Sequence, residues 1–117
     1  MRETIKDLSR IQHIQKAIYN LERFLEGKAV EDIENESILF YAVVKNLEII
    51  GEAAYMLSKD FISANQEINW QDYIKLRHVM VHGYYTINPK IVFEICMDDI
   101  PKLKPFILKY LSNPEGA

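Results

Sequence analysis

The sequence predicts an all-α fold, an antiparallel bundle of four to five helices in a single domain that spans residues 1–117. Apolar residues recur three and four positions apart over long stretches, which is the spacing of one helical face. The alternation of apolar and polar residues that is typical of strands is weak. With 117 residues, of which 49% are hydrophobic, the chain can bury roughly two-thirds of the surface that it exposes when unfolded.

The first predicted helix covers residues 4–25, and Gly27 follows at a position where helices often end. Its apolar positions are Ile5, Leu8, Ile11, Ile14, Ile18, Leu21, Phe24 and Leu25. The acidic stretch VEDIENES, residues 30–37, is typical of a turn. Within it, Asn35 or Ser37 is expected to cap the next helix.

A second helix is predicted over about residues 38–58, with an apolar face wide enough to pack on more than one partner. Its opposite, solvated side carries Lys45, Glu48 and Glu52. Asn46 lies inside the apolar arc, where a buried amide needs a hydrogen-bond partner, and the region around Arg77 is the expected source of one. Gly51 is small enough to let another helix approach closely.

Asn69, directly before Trp70, begins a third predicted helix, which Gly83 should stop just after His82. The preceding connection, residues 61–68, has no clear turn pattern. It is expected to be either a substrate-contacting loop or plain scaffolding.

Asn88 followed by Pro89 predicts the start of a fourth helix, because a capping side chain precedes a proline at the first helical position. Pro101 and Pro105 are expected to kink or divide the C-terminal part of the chain. Residues 106–111 are predicted to form a last helical piece.

Charge and hydropathy limit the function. A net charge of −3 and a pI near 5.6 argue against a protein that holds duplex nucleic acid through a broad cationic surface, although a local basic cleft stays possible. The N-terminus has no apolar signal core, and no apolar run approaches the ~20 residues needed to cross a bilayer, so we expect a cytoplasmic protein. Cys96 is expected to be a packed core thiol.

The most informative stretch is KLRHVMVHGYYTI, residues 75–87, which brings together Arg77, His78, His82, Tyr84 and Tyr85. At helical pitch the two histidines, four residues apart, share one face. A permanently charged guanidinium beside imidazoles that exchange a proton near neutral pH suits the handling of a phosphodiester.

Other interpretations of this cluster are open on spacing alone. The two histidines have the spacing of a helical metal pair, but two ligands do not make a site, and His13 and Cys96 lie on other predicted helices. No metal and no cofactor are therefore expected. A surface or ion-paired Arg77, a helix-terminal His82 and tyrosines that anchor a turn would also fit.

The spacing Arg77-x4-His82-x-Tyr84 resembles the signature of HepT-like toxins, a branch of the HEPN ribonucleases. The resemblance extends to AVVKNLEIIGEAA, residues 42–54, and to residues 70–95, which are similar to the second core helix and to the motif helix, loop and following helix of that family. It implies a HEPN-like helical bundle. Many members have Asn or Asp directly after the arginine, whereas this chain has His78.

The resemblance implies a metal-independent endoribonuclease, the toxin of a toxin-antitoxin pair, that works as a homodimer or higher oligomer on an RNA substrate. Arg77 and His82 would be catalytic across the dimer cleft, with His78 and Asn46 as supporting residues. A minimal nucleotidyltransferase antitoxin would transfer AMP from ATP to Tyr84 or, as a second choice, to Tyr85. The alternatives are a non-catalytic HEPN subunit that binds nucleotide or the nucleotidyltransferase, and a purely structural dimer.

Overall fold

The computed structural model describes residues 2–82 and 87–113, and it describes side chains from residue 6 onward. These residues form helices and no strand, as predicted. The α-helices are α1 (Arg2–Leu25), α2 (Val30–Asn35), α3 (Ser37–Tyr55), α4 (Lys59–Ala64), α5 (Trp70–His82), α6 (Pro89–Glu94) and α7 (Ile100–Ser112), and a π-helical turn (Ile95–Asp99) joins the last two. None of the described helices is long and apolar enough to cross a membrane.

Helix α3 is the centre of the bundle, because it packs against α1 on one side and α5 on the other. Its apolar arc is buried, including Val43, Leu47 and Ile50, none of which is accessible to solvent. Helix α7 packs on the far side of α1. The wide apolar face predicted for α3 therefore packs against two helices, α1 and α5, as expected.

The acidic stretch at residues 30–37 was expected to be a turn, but most of it is helix α2. The backbone N–H of Ala29 donates to the Asp32 carboxylate at 2.7 Å, and Ile33 is buried against the core, so the segment gains a start signal and an apolar anchor. The expected cap by Asn35 or Ser37 is wrong. Glu36 takes the capping position of α3, with extended backbone and no side-chain cap.

Helix α3 also ends at Tyr55, earlier than the predicted residue 58, because Ser58 begins another helix. The Ser58 hydroxyl accepts a hydrogen bond from Phe61 N at 3.1 Å and caps α4. The buried carboxylate of Asp7 accepts from both the backbone N–H and the hydroxyl of Ser58, at 2.8 and 2.7 Å. Asp7 thereby fastens the start of α4 to α1, a role that the sequence did not reveal.

Residues 61–68 complete α4 and lead into α5, and they pack against the aromatic part of the core. Phe61 is buried and lies edge-on to the rings of Trp70 and Tyr110, with centroids 5.8 and 5.2 Å away. The indole Nε1 of Trp70 donates to the carbonyl of Asn65 at 2.9 Å. The segment thus carries the aromatic end of the core.

The C-terminal helices begin as predicted, since the Asn88 side chain accepts from Lys90 N at 2.8 Å and Pro89 occupies the first turn. The prolines do not break this part of the chain into separate pieces: Pro101 lies in the first turn of α7, which follows the π turn, and Pro105 lies inside the helix. The last helical piece consequently begins at Ile100 instead of residue 106. Burial of Cys96 raises its thiol pKa to about 12, which confirms a packed core thiol.

Candidate functional site at the crossing of α3 and α5

Gly51 is the point at which α3 and α5 approach most closely around the predicted site. A Cβ atom at position 51 would lie 2.2 Å from the backbone N of Arg77 and 2.8 Å from its Cα. Only a residue without a side chain permits this approach. The sequence prediction that Gly51 lets a second helix come close is confirmed, and the helix that does so carries Arg77.

The Arg77 side chain lies over the outer face of α3. Its Nε donates to the Glu52 carboxylate in an ion pair, and its Cζ lies 4.6 Å from the centre of the Tyr55 ring. The side chain remains 44% exposed, so solvent and a ligand can still reach the guanidinium. Two groups from one turn of α3 therefore orient a cation whose backbone is already fixed by Gly51.

Glu52 and Tyr55 were missed as site residues. Glu52 was expected on the solvated side of its helix; its side chain is indeed half exposed, but it contacts Arg77. The available signal was the spacing of Gly51, Glu52 and Tyr55, which a helix crossing at the glycine would meet together. That signal is readable only when the helix that crosses there is known.

His78 and His82 lie side by side on the exposed face of α5, with ring centroids 4.8 Å apart, as their spacing predicted. His82 is five residues beyond Arg77, which places the two side chains about 140° apart around the helix. The described residues contain no group of three or more side chains that could hold a metal ion. Tyr84 and Tyr85, with the predicted stop at Gly83, lie outside the described residues.

Asn46 is buried in α3, as its place in the apolar arc suggested, but its partners differ from those expected. Its amide donates to the carbonyl of Ala42 at 2.8 Å and accepts from Nδ2 of Asn20 at 3.1 Å. The polar groups that satisfy it thus come from α1 and from its own helix, and not from the Arg77 cluster.

Comparison of the sequence with protein-family models identifies the family of this chain. The model of the family described as "Ribonuclease HepT-like" matches residues 14–110, most of the chain. The chain belongs to the HepT-like ribonuclease family. The match includes α3, α5 and every described residue of the Arg77 site.

Two relatives match the HepT-like chain over nearly all of their own length. A probable ribonuclease HepT of Thermococcus cleftensis is 31% identical over 104 residues, 89% of this chain and 93% of its own. A protein named as a putative RNase of Caldanaerobacter subterraneus subsp. tengcongensis is 31% identical over 104 residues, 88% of this chain and 92% of its own.

A third relative is longer. A protein of Methanocaldococcus jannaschii named as a gamma-glutamylcyclotransferase and putative RNase is 31% identical over 113 residues, 97% of this chain. The HepT-like chain spans only about half, 50%, of that relative's length. No solved structure gives a significant match.

The electrostatics of the site suit a ribonuclease despite the acidic pI. Helix α5 presents four basic side chains in exposed positions: Lys75, Arg77, His78 and His82. A local concentration of donors of this kind can attract and orient a phosphate without a broad basic surface.

Proposed function

We propose that this HepT-like ribonuclease is a metal-independent endoribonuclease that acts in the cytoplasm as a homodimer, with Arg77 and His82 of both subunits facing each other across a shared cleft. The observation that carries the proposal is the orientation of the two side chains on α5. Arg77 is directed at α3, where Glu52 and Tyr55 hold it, and His82 lies about 140° further round the same helix. A two-fold pair of chains can supply both groups to one phosphate.

The chemistry follows from these groups. The neutral imidazole of one His82 removes the proton from a ribose 2′-OH, and the oxygen forms a bond to the adjacent phosphorus. The imidazolium of the second His82 donates its proton to the 5′-oxygen as the phosphorus to 5′-oxygen bond breaks. The products are a 2′,3′-cyclic phosphate and a free 5′-hydroxyl, and no metal or co-reactant enters the balance.

Arg77 stabilises the charge that develops on the phosphorane. Because its ion pair with Glu52 uses Nε, the remaining N–H donors of the guanidinium can bind phosphate oxygens. A preorganised donor of this kind contributes roughly 3 to 4 kcal/mol to the transition state in comparable sites. Glu52 and Tyr55 restrict the guanidinium before the substrate arrives.

His78 and Asn46 act as supporting residues. The ring of His78 lies beside that of His82 and can orient it or share its contact with phosphate. Asn46 acts at a distance, because its hydrogen bond to Asn20 holds α1 on α3, the helix that positions Arg77.

We further propose that the chain is the toxin of a toxin-antitoxin pair and that a minimal nucleotidyltransferase antitoxin transfers AMP from ATP to Tyr84. The phenol oxygen would bond to the α-phosphorus of ATP, with pyrophosphate leaving. A bulky anion two residues from His82 would repel an incoming RNA phosphate. Intact-mass and peptide analysis of the wild type, Tyr84→Phe and Tyr85→Phe after incubation with ATP and the antitoxin tests this, and modification of Tyr84→Phe at the wild-type level would refute it.

The ribonuclease itself is tested by cleavage of labelled cellular RNA in EDTA, with wild type whose Tyr84 is confirmed as unmodified by mass. Wild type should cut and leave cyclic-phosphate ends, while His82→Ala and Arg77→Ala should not. A substrate with 2′-deoxyribose at the cut site should resist cleavage. Equal activity in wild type and His82→Ala would reveal a contaminating nuclease, and nucleotide or antitoxin binding without any cleavage would favour a non-catalytic subunit.

A further inference from the structure

A polar groove lies between α1 and α3, next to the Arg77 site. Its volume is about 320 Å³, within the range of small-ligand sites. It is lined by Arg10 and His13 of α1 and by Lys45, Glu48, Ile49, Glu52, Ala53 and Met56 of α3. We call it the α1–α3 groove.

The groove is continuous with the Arg77 site through one side chain. Glu52 lines the groove and also forms the ion pair with Arg77. A ligand that contacts the guanidinium of Arg77 therefore reaches the groove by extending past a single carboxylate. A nucleic-acid strand extends in this way, because each phosphate is followed by another one nucleotide away.

The ionisable groups of the groove that lack a partner of opposite charge are basic. Lys45 pairs with Glu48 at 3.3 Å, and Glu52 pairs with Arg77. Arg10 and His13 have no carboxylate partner among the described residues, and Nε of Arg10 is shielded from solvent without a hydrogen-bond partner. The shielded Nε is not within reach of a ligand, but the terminal nitrogens of the same guanidinium are not shielded in this way, and a phosphate oxygen is a strong acceptor for their N–H groups.

The groove also has an apolar wall formed by Ile49, Ala53 and Met56. Basic groups on α1 together with apolar side chains on α3 match a nucleotide, which has an anionic phosphate and a flat, largely apolar base. An acidic peptide would use the basic groups but leave the apolar wall without a matching surface.

We propose that the α1–α3 groove binds the nucleotide next to the scissile phosphate of a single-stranded RNA, with Arg10 and His13 as ligands of its phosphate. This rests on the proposed function, which places the scissile phosphate at Arg77. The groove extends the substrate site from one phosphate to at least two, and it supplies binding rather than chemistry.

The test measures RNA binding separately from cleavage. In a His82→Ala background, which should leave the RNA intact, a fluorescently labelled single-stranded oligoribonucleotide is titrated and its anisotropy recorded at several salt concentrations. The double change Arg10→Gln and His13→Gln should weaken binding at least tenfold and lower the salt slope by about 0.7 to 1.4, as expected for the loss of one or two phosphate contacts to a single strand. Arg23→Gln, an exposed arginine of the same helix outside the groove, should bind like its parent.

In the chain with His82 intact, the double change should raise KM at least tenfold and leave kcat within about threefold, because it acts on binding alone. Thermal unfolding of each variant separates this effect from a loss of folding. Unchanged affinity and salt slope, or no measurable RNA binding by the parent, would overturn the inference.

Failure of the proposed function would look different. Binding that depends on Arg10 and His13, without cleavage by wild type, would retain the groove and reject the ribonuclease. Cleavage that ignores both residues would retain the ribonuclease and reject the groove.

Discussion

Replacement of Gly51 by alanine should separate α3 from α5 and displace Arg77. The new Cβ would lie 2.2 Å from Arg77 N, and ordinary contact begins near 3.4 Å, so the helices must part by about 1.2 Å. The atoms that it meets are mainly backbone and cannot rotate away. Overpacking of this kind costs up to about 3 kcal/mol.

The net change is smaller because alanine favours the helix. The gain in helix propensity over glycine is about 1 kcal/mol, which leaves a net loss of about 2 kcal/mol in the free energy of unfolding. For a domain of this size that loss lowers Tm by about 8 °C. A displacement of about 1 Å at a group that stabilises a transition state lowers activity about a hundredfold, so cleavage should fall far more than stability does.

The assay is chemical and thermal unfolding followed by far-UV circular dichroism at one protein concentration, together with the RNA cleavage assay below the Tm of the variant. Gly27→Ala is the matched control. Gly27 has φ +71°, and no atom lies within 4 Å of the position of its added Cβ, so alanine there should cost about 1 to 2 kcal/mol from the left-handed backbone and leave cleavage unchanged. A Gly51→Ala protein more stable than wild type, as helix propensity alone requires, would refute the reasoning.

Three further predictions concern other contacts. Glu52→Gln should change the free energy of unfolding by less than about 1 kcal/mol, because both partners of its ion pair with Arg77 are well exposed. It should nevertheless lower kcat about tenfold in the cleavage assay. An unchanged kcat would show that Arg77 does not need Glu52 to position it. Asp7→Ala should lower the free energy of unfolding, measured with denaturant, by about 1 to 3 kcal/mol, because it leaves the backbone N–H of Ser58 without its acceptor. Asp60→Ala, on the exposed surface of α4, is the control and should cost less. The phenol pKa of Tyr73 is raised from 10.0 to about 12, by burial first and then by the charges of nearby aspartates, so the folded state keeps its proton where the unfolded state loses it. The stability that this shift contributes is therefore fully present below pH 10 and is lost as the pH rises through 12. Tyr73→Phe should flatten this fall in the free energy of unfolding, and a pH dependence identical to that of wild type would contradict the assignment.

The sequence predicted most of the elements whose signals are local. The helix of residues 4–25 has regular apolar spacing, and the start at Asn88 and Pro89 needs only two adjacent residues. Helix α4 has a local start signal in Ser58, which caps it, but this serine was assigned to the end of the preceding helix, and the hydrogen bonds that hold Ser58 come from Asp7, 51 residues away. Helix α2 was likewise obscured because its acidic composition suggested a turn, whereas burial of Ile33 decides its structure.

The same division holds for the site. The neighbourhood of His78 and His82 follows from their spacing on one helix, and their rings do lie side by side. Glu52 could not be assigned, because its role depends on where α5 crosses α3. The partner of Asn46 was missed for the same reason: Asn20 belongs to a helix whose alignment on α3 the sequence leaves open.

The hydrogen bond between the amides of Asn20 and Asn46 fixes the alignment of α1 along α3, whose buried contact is otherwise mostly apolar. Apolar side chains tolerate a slide of one helix along another, but a slide of one turn, about 5.4 Å, would separate the two amides and leave polar groups without partners in the interior. Only one alignment of α1 on α3 is therefore favourable. That alignment also brings Arg10 of α1 and Glu52 of α3 to the same groove, so a contact away from the groove determines which side chains line it.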